Sequence, residues 1–339
     1  MLRNKYIAGL DIGSNKISLV IGGITKQRKL EIIDFQKVDS KGIRQGIVID
    51  LTKAINSILE IKQKLRSKGI KSVFASVNGK NVKSHFNHAV LNLSPRGEEI
   101  RQSHLDKLLK KASAIGLPLN RQIIYRVPLE YIVDGEAGIT NPLRMTANRI
   151  EVRLHIISSK IGEIENLTKV INCSNWEIEG IIPVSLACQR TLKQDSSALL
   201  LDIGNQTINC GLSFNNTLKY CQSFLFKNNL SECLREVKEI MERADDYDKA
   251  DKIIISGGKT LTDGLAEKIE EIFNKPTKIG FPAICLQKDN LNFKEKEIMA
   301  NPVWTVAIGL VRYGLEKRRE KAEAKGIVKK IKRWVEGYF

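Results

Sequence analysis

Near the start of the chain, apolar positions gather in two short β-branched runs, residues 6–10 and 17–21, with Asp11-Ile12-Gly13-Ser14-Asn15-Lys16 between them. That pattern predicts a strand, a tight turn and a second strand. The design returns where residues 198–201 lead through Asp202-Ile203-Gly204-Asn205-Gln206-Thr207 into 208–212. Leu-Asp-Ile-Gly is identical in the two copies, which lie 191 positions apart (202 minus 11). The chain therefore reads as a duplicated α/β fold with two similar halves, not a short-period solenoid.

Between the copies the spacing changes. Asp50 or Thr52 can cap a helix that keeps Ile55, Ile58, Leu59 and Leu65 on one face until Gly69, and 73–77 reads as a strand. Ser103-His104-Leu105-Asp106 approximates a capping box and opens a helix through Leu108, Leu109 and Ala112 that stops at Gly116. Strand patterns at 122–127 and 149–157 precede a helix carrying Ile161, Ile164, Leu167, Val170 and Ile171. The block 39–159 has the size of an inserted small α+β subdomain, leaving 1–38 and 160–197 as the first lobe. In the second lobe, 198–315, Leu230, Leu234, Val237 and Met241 mark a helix, 252–255 a buried strand, and Ser256-Gly257-Gly258 a turn into a helix at 265–273. Asn301-Pro302 starts an apolar helix over 304–315, with Pro where its missing N–H is harmless. A charged linker, 316–325, and a C-terminal amphipathic helix, 326–339, complete the order.

At 100° per residue, Ile327, Val328, Ile331, Trp334, Val335, Tyr338 and Phe339 share one face of that last helix. Lys329, Lys330, Lys332, Arg333 and Glu336 take the other. A basic polar face with aromatic anchors is the pattern of a helix lying in a membrane interface, with each cation near an acidic leaflet contributing about 1 kcal/mol. The competing reading is a terminal helix docked on the protein's own core. The formal charge is +17, of which residues 316–339 carry +5 (nine Lys and Arg against four Glu) and the rest +12 (17 minus 5) without a dense arm. No zinc-ligand spacing, RNA-stacking motif or basic recognition helix accompanies it, so acidic lipid is the expected partner and nucleic acid is not. Neither a signal-peptide core nor a membrane-spanning run is evident. Cys173, Cys188, Cys210, Cys221, Cys233 and Cys285 are scattered among apolar residues and read as buried free thiols. His85, His88, His104 and His155 lack metal-ligand spacing.

The two Asp-Ile-Gly turns carry the candidate chemistry. Their backbone N–H groups can face an anion, Ser14 and Lys16 add a hydroxyl and a cation, and Asp11 and Asp202 can hold the waters of a Mg²⁺ ion. One such turn is more often a plain hairpin; two, followed by Gly257-Gly258, suggest a nucleotide between lobes, with Asp11, Gly13, Ser14, Lys16, Asp202 and Gly204 as candidates for the phosphate side. No catalytic residue is assigned.

This trio resembles the actin, Hsp70 and sugar-kinase superfamily, which implies an actin-like (ribonuclease H-like) fold, with Thr207 also on the phosphate side and adenosine at Gly257 and Gly258. Within it the chain resembles the FtsA family of bacterial cell-division proteins. The resemblance rests on Gly42-Ile43-Arg44-Gln45-Gly46-Ile47-Val48-Ile49-Asp50, Ala75-Ser76-Val77-Asn78-Gly79-Lys80 and Val127-Pro128-Leu129-Glu130-Tyr131-Ile132-Val133-Asp134. It continues through Gly138-Ile139-Thr140-Asn141-Pro142 and Asn301-Pro302-Val303-Trp304-Thr305-Val306-Ala307-Ile308-Gly309-Leu310. The family implies ATP and Mg²⁺ as cofactors, actin-like self-association, and attachment of FtsZ and other divisome proteins to the cytoplasmic face of the inner membrane at the division site. Two departures stand out: Asn205, Gln206, Ile208 and Asn209 replace a Gly/Thr-rich turn, and nothing over 214–251 matches the Glu and Lys that face ribose and adenine. The expectation is a shortened second lobe with weak or absent ATP binding. The alternatives are a PilM-like pilus-assembly scaffold and an ATPase or phosphotransferase of the superfamily.

Overall fold

The computed structural model of the chain describes residues 6–25, 30–66, 69–192, 197–226, 229–282, 296–298 and 300–336, with side chains as far as 320. In the first lobe β1 (Tyr6–Ile12), β2 (Lys16–Ile24) and β3 (Leu30–Asp39) form an antiparallel meander. The short pair β4 (Ile43–Arg44) and β5 (Ile47–Val48) leads into α1 (Leu51–Lys64), capped by the Asp50 carboxylate, which accepts the Lys53 N–H. Ile58 and Ile61 of α1 are fully buried, each side chain worth about 1.5–3 kcal/mol, so packing rather than propensity holds the helix. β6 (Ser72–Val77) then pairs parallel with β1.

The insert follows: β7 (Lys83–Asn92), β8 (Glu98–Glu99), α2 (Gln102–Ser113), β9 (Arg121–Val133), β10 (Glu136–Ile139), β11 (Thr146–Ala147) and β12 (Arg149–Lys160). α2 covers one face of its sheet over a core of Leu105, Leu108, Ile150, Val152 and Leu154. Helix α2 begins one residue before the expected Ser103 cap, and the ring of His104 accepts the Arg101 N–H instead. The chain returns to the first lobe through α3 (Ile161–Cys173), β13 (Glu177–Pro183) and α4 (Val184–Thr191).

The second lobe repeats the first: β14 (Ala198–Ile203), β15 (Thr207–Phe214), β16 (Thr217–Leu225), α5 (Leu230–Met241), β17 (Lys252–Ser256), α6 (Leu265–Phe273) and β18 (Thr277–Ile279). Strand order β13-β6-β1-β2-β3 in one lobe is matched by β18-β17-β14-β15-β16 in the other. α5 returns to β17 across residues 242–251. A single pairing, Lys83 with Gln222, joins the insert's strands to those of this lobe in one nine-stranded sheet.

Three boundaries differ from expectation. Residues 39–78 belong to the first lobe, because α1 packs on β2 and β3 and β6 is hydrogen-bonded to β1. The last helix, α7 (Thr305–Glu336), packs through Val306, Ala307, Leu310 and Val311 into the first lobe's core, not the second's. It also continues through 316–325 without a break: that stretch holds no Gly or Pro, and its Glu, Lys, Arg and Ala are strong helix formers. At 1.5 Å per residue α7 spans about 48 Å. Of the cysteines, Cys188, Cys210, Cys221 and Cys233 are buried as expected, whereas Cys173 is exposed at the end of α3; Cys285 lies outside the described residues.

Candidate functional site

β1 and β2 turn at Gly13–Asn15, β14 and β15 at Gly204–Gln206, in the same register: Ile12 opposes Ile17 and Ile203 opposes Ile208. In each turn the glycine N–H donates within its own hairpin, Gly13 to the Lys16 carbonyl at 3.0 Å and Gly204 to the Thr207 carbonyl at 2.9 Å. Those two amides close the hairpins. The two turns meet across a cleft of about 160 Å³ lined by Asp11, Gly13, Ser14, Lys16, Asp202, Gly204, Thr207, Gly257 and Gly258. Every residue assigned from sequence to the phosphate and adenosine sides is thus brought to one place.

The carboxylates are held by equivalent neighbours. Asp11 accepts from the hydroxyls of Ser76 (2.8 Å) and Ser18 (3.4 Å), Asp202 from the Ser256 hydroxyl (3.3 Å) and the Asn209 amide (3.3 Å). Ser18 and Asn209 stand opposite their aspartates on β2 and β15, while Ser76 lies one residue before the end of β6 and Ser256 ends β17. Sequence reading assigned none of the four to the site; their signal was a polar residue near the turn-side end of a largely apolar strand. Burial raises the pKa of Asp11, opposed by Lys16 and the two serines. Burial and the charge of Asp11 push Asp202 up to about 6, again opposed by Lys16. Lys16 is lowered by burial and supported by both carboxylates, and its ammonium donates to the Val303 carbonyl at 3.0 Å. Two buried carboxylates sharing one cation account for these shifts without a catalytic role.

The cleft accommodates a phosphate-sized anion better than a nucleotide. Small-molecule sites run to about 300–1,000 Å³, well above this one. Gly257, at φ +98, is required by the protein itself, since a Cβ there would run into the Ile203 carbonyl and the Asp202 carboxylate. Lys16 already compensates the carboxylates proposed for Mg²⁺, and each accepts two protein hydrogen bonds. Among the described residues no cluster of three His, Cys, Asp or Glu could hold a metal.

Elsewhere the family-like residues have structural partners. Glu130 accepts from Gly138 N and Arg153, and Asp134, at φ +48, accepts from the N–H groups of Asn148 and Arg149. The root of α7 is docked: Arg318 donates to the Tyr6 carbonyl at 2.9 Å and pairs with Glu179 at 2.6 Å, and Glu316 pairs with Arg190 at 3.3 Å. Backbone helix reaches Glu336; the side chains of Ile327, Val328, Lys329, Lys330, Ile331, Lys332, Arg333, Trp334 and Val335, and all of Tyr338 and Phe339, lie outside the described residues. Among the described residues no helix is long and apolar enough to cross a membrane.

Residues 79–158 match the family model described as the SHS2 domain inserted in FtsA. The cell division protein FtsA of Pseudomonas aeruginosa is 22% identical over 419 aligned positions, covering 99% of this chain and 98% of that one. That FtsA therefore carries segments this 339-residue chain lacks. FtsA of Borreliella burgdorferi is 25% identical over 98% of this chain and 96% of its own. Among solved structures, a chain of the PilM-PilN type IV pilus biogenesis complex superposes with a TM-score of 0.67 at 13% identity, covering 91% of this chain and 98% of that one, a likeness of fold.

Proposed function

Because the chain is an FtsA-like protein of actin-like fold, we propose that it is a membrane adaptor of the cell-division machinery. It tethers FtsZ filaments to the cytoplasmic face of the inner membrane at the division site, self-associates as actin-like proteins do, and gathers other division proteins there. The observation carrying this reading is an FtsA-type insert set in a chain whose likeness to FtsA proteins extends almost end to end. Supporting the membrane half is the amphipathic pattern of 326–339, which continues a helix rooted on the first lobe by Arg318. Acidic lipid headgroups meet the Lys and Arg of the polar face while Trp334 and the aliphatic residues enter the interface. The likeness to the PilM chain is one of fold, and no pilus role is drawn from it.

Flotation on anionic vesicles tests the attachment. The full chain is expected to float and a chain ending at residue 325 to remain at the bottom; equal flotation of both would overturn the adaptor mechanism. Mg-ATP is held weakly or not at all in this reading, because the cleft is only about 160 Å³ and Lys16 is engaged with Val303. Calorimetric titration is expected to give binding weaker than micromolar, and a tight isotherm would contradict it.

A further inference from the structure

The two turns are equivalent in backbone and different in side chain. Asn15 and Gln206 occupy the same position (206 minus 15 is again 191), and each offers its carbonyl to its own lobe, Asn15 to Ser40 N at 3.0 Å and Gln206 to Phe226 N at 3.1 Å. The Gln206 side chain, however, crosses to the first lobe, where its Oε1 accepts the Gln45 N–H at 2.8 Å. The next amide, Gly46 N–H, donates to the Ser14 hydroxyl of the first turn at 3.0 Å. Gln45 and Gly46 both have left-handed backbone, φ +54 and φ +75, and a Cβ at Gly46 would collide with Asn78. Two consecutive amides are therefore aimed at the two turns, one at each.

A second set of ties runs along the cleft floor. Lys16 of the first lobe donates to Val303, and Gly257 of the second donates to the neighbouring Pro302 carbonyl at 3.4 Å. The adjoining Trp304 is fixed in the first lobe against Phe35, with ring centroids 5.2 Å apart. Lobe-to-lobe contact at the mouth and at the floor is thus made by the protein's own donors and acceptors.

We propose that residues 45–46 are a strap which, by engaging Gln206 in one lobe and Ser14 in the other, holds the cleft closed without a bridging nucleotide. The strap depends on Gln206, one of the positions where the turn departs from the Gly/Thr-rich pattern, and it is independent of whether the tail binds lipid.

Amide hydrogen exchange on the full chain reads the strap directly, since the Gln45 N–H is one of its two bonds. In the unmodified protein the Gln45 amide is expected to be protected equally with and without millimolar Mg-ATP. Gln206→Gly is expected to speed its exchange roughly tenfold, whereas Gln206→Glu, which keeps an acceptor oxygen, retains most of the protection. Amides of β1 and β14 serve as the folding control and stay unchanged. The proposal is overturned if Gln45 is unprotected until Mg-ATP is added, or if Gln206→Gly leaves its exchange unaltered. Tight Mg-ATP binding with Gln45 already protected would refute the weak-nucleotide reading while leaving the strap intact.

Discussion

Gly309→Ala is expected to destabilise the protein by about 3 kcal/mol or more, read as a lower urea midpoint with little change in slope. The position is where α7 crosses α4, and a Cβ there would lie inside the contact distance of the Ala187 carbonyl oxygen and carbon. These are backbone atoms in the middle of a buried helix, so no side-chain rotation relieves the overlap. On its other side α7 is pressed against β1, where a Cβ at Gly9 would meet the Ala307 carbonyl in the same way. The helix therefore has no direction in which to move. Gly258→Ala is the matched control: no atom lies within 4 Å of a Cβ there, and the expected change is within about 0.5 kcal/mol. A Gly309→Ala protein as stable as this control would show that α7 does not pass so close to α4.

The second large effect is on pH dependence. His155 is fully buried where the insert's sheet meets the second lobe and is engaged through both ring nitrogens: Nδ1 donates to the Leu218 carbonyl at 3.0 Å, and Nε2 lies 2.7 Å from the Ser84 hydroxyl, which also faces the Cys221 carbonyl at 2.8 Å. A carbonyl can only accept, so Nδ1 carries a proton, and burial favours the neutral ring, which leaves Nε2 without one. Ser84 in turn accepts the Cys221 N–H at 2.8 Å, tying the ring into the junction. Burial lowers the pKa of His155 to about 4, with the charges of His85 and Lys219 acting in the same direction and the Leu218 carbonyl opposing them. Between pH 6.5 and 4 the unfolded chain binds a proton at this ring that the native chain refuses, so stability rises with pH through that window and is lost on acidification. The contribution is roughly 3 kcal/mol between neutral pH and pH 4.

Asp202 acts oppositely: its folded pKa of about 6 lies above the ordinary 3.8, so its term diminishes as pH rises between those values. The comparison is therefore between variants. His155→Gln is expected to flatten the stability profile between pH 6.5 and 4 relative to the unmodified protein, and identical slopes would refute the assignment.

The hairpins were readable from sequence because they are local. An apolar run, an Asp, a Gly and a second apolar run specify a strand and a turn through the sterics of neighbouring residues, and the repeat at 191 positions exposed the duplication. A helix capped at Asp50 or Thr52 was equally plain, since a cap lies within a few residues of its donor, and the structure puts the cap at Asp50. The insert's start was not readable. α1 and β6 have the local pattern of any α+β segment, and their membership of the first lobe is decided by pairing of β6 with β1 and by burial of Ile58 and Ile61 against that lobe. Polar strands such as β3 and β7, with Lys37, His85, Asn87 and His88 among their residues, carry too weak an alternation to be found alone and exist because neighbours pair with them.

By itself, then, the sequence determined the two turns, the Asp11 and Asp202 that enter them, and the amphipathic pattern of 326–339, all features set by residues a few positions apart. The tertiary structure alone decided that the carboxylates share Lys16 and that the hydroxyls of Ser76 and Ser256 hold them. It alone brought Gln206 to Gln45, 161 residues away, and carried α7 unbroken through its charged stretch from a root pinned by Arg318. The physical reason is one of range. Backbone sterics and side-chain periodicity act between neighbours, whereas desolvation of a carboxylate and the closing of two lobes depend on which distant surfaces exclude water from each other.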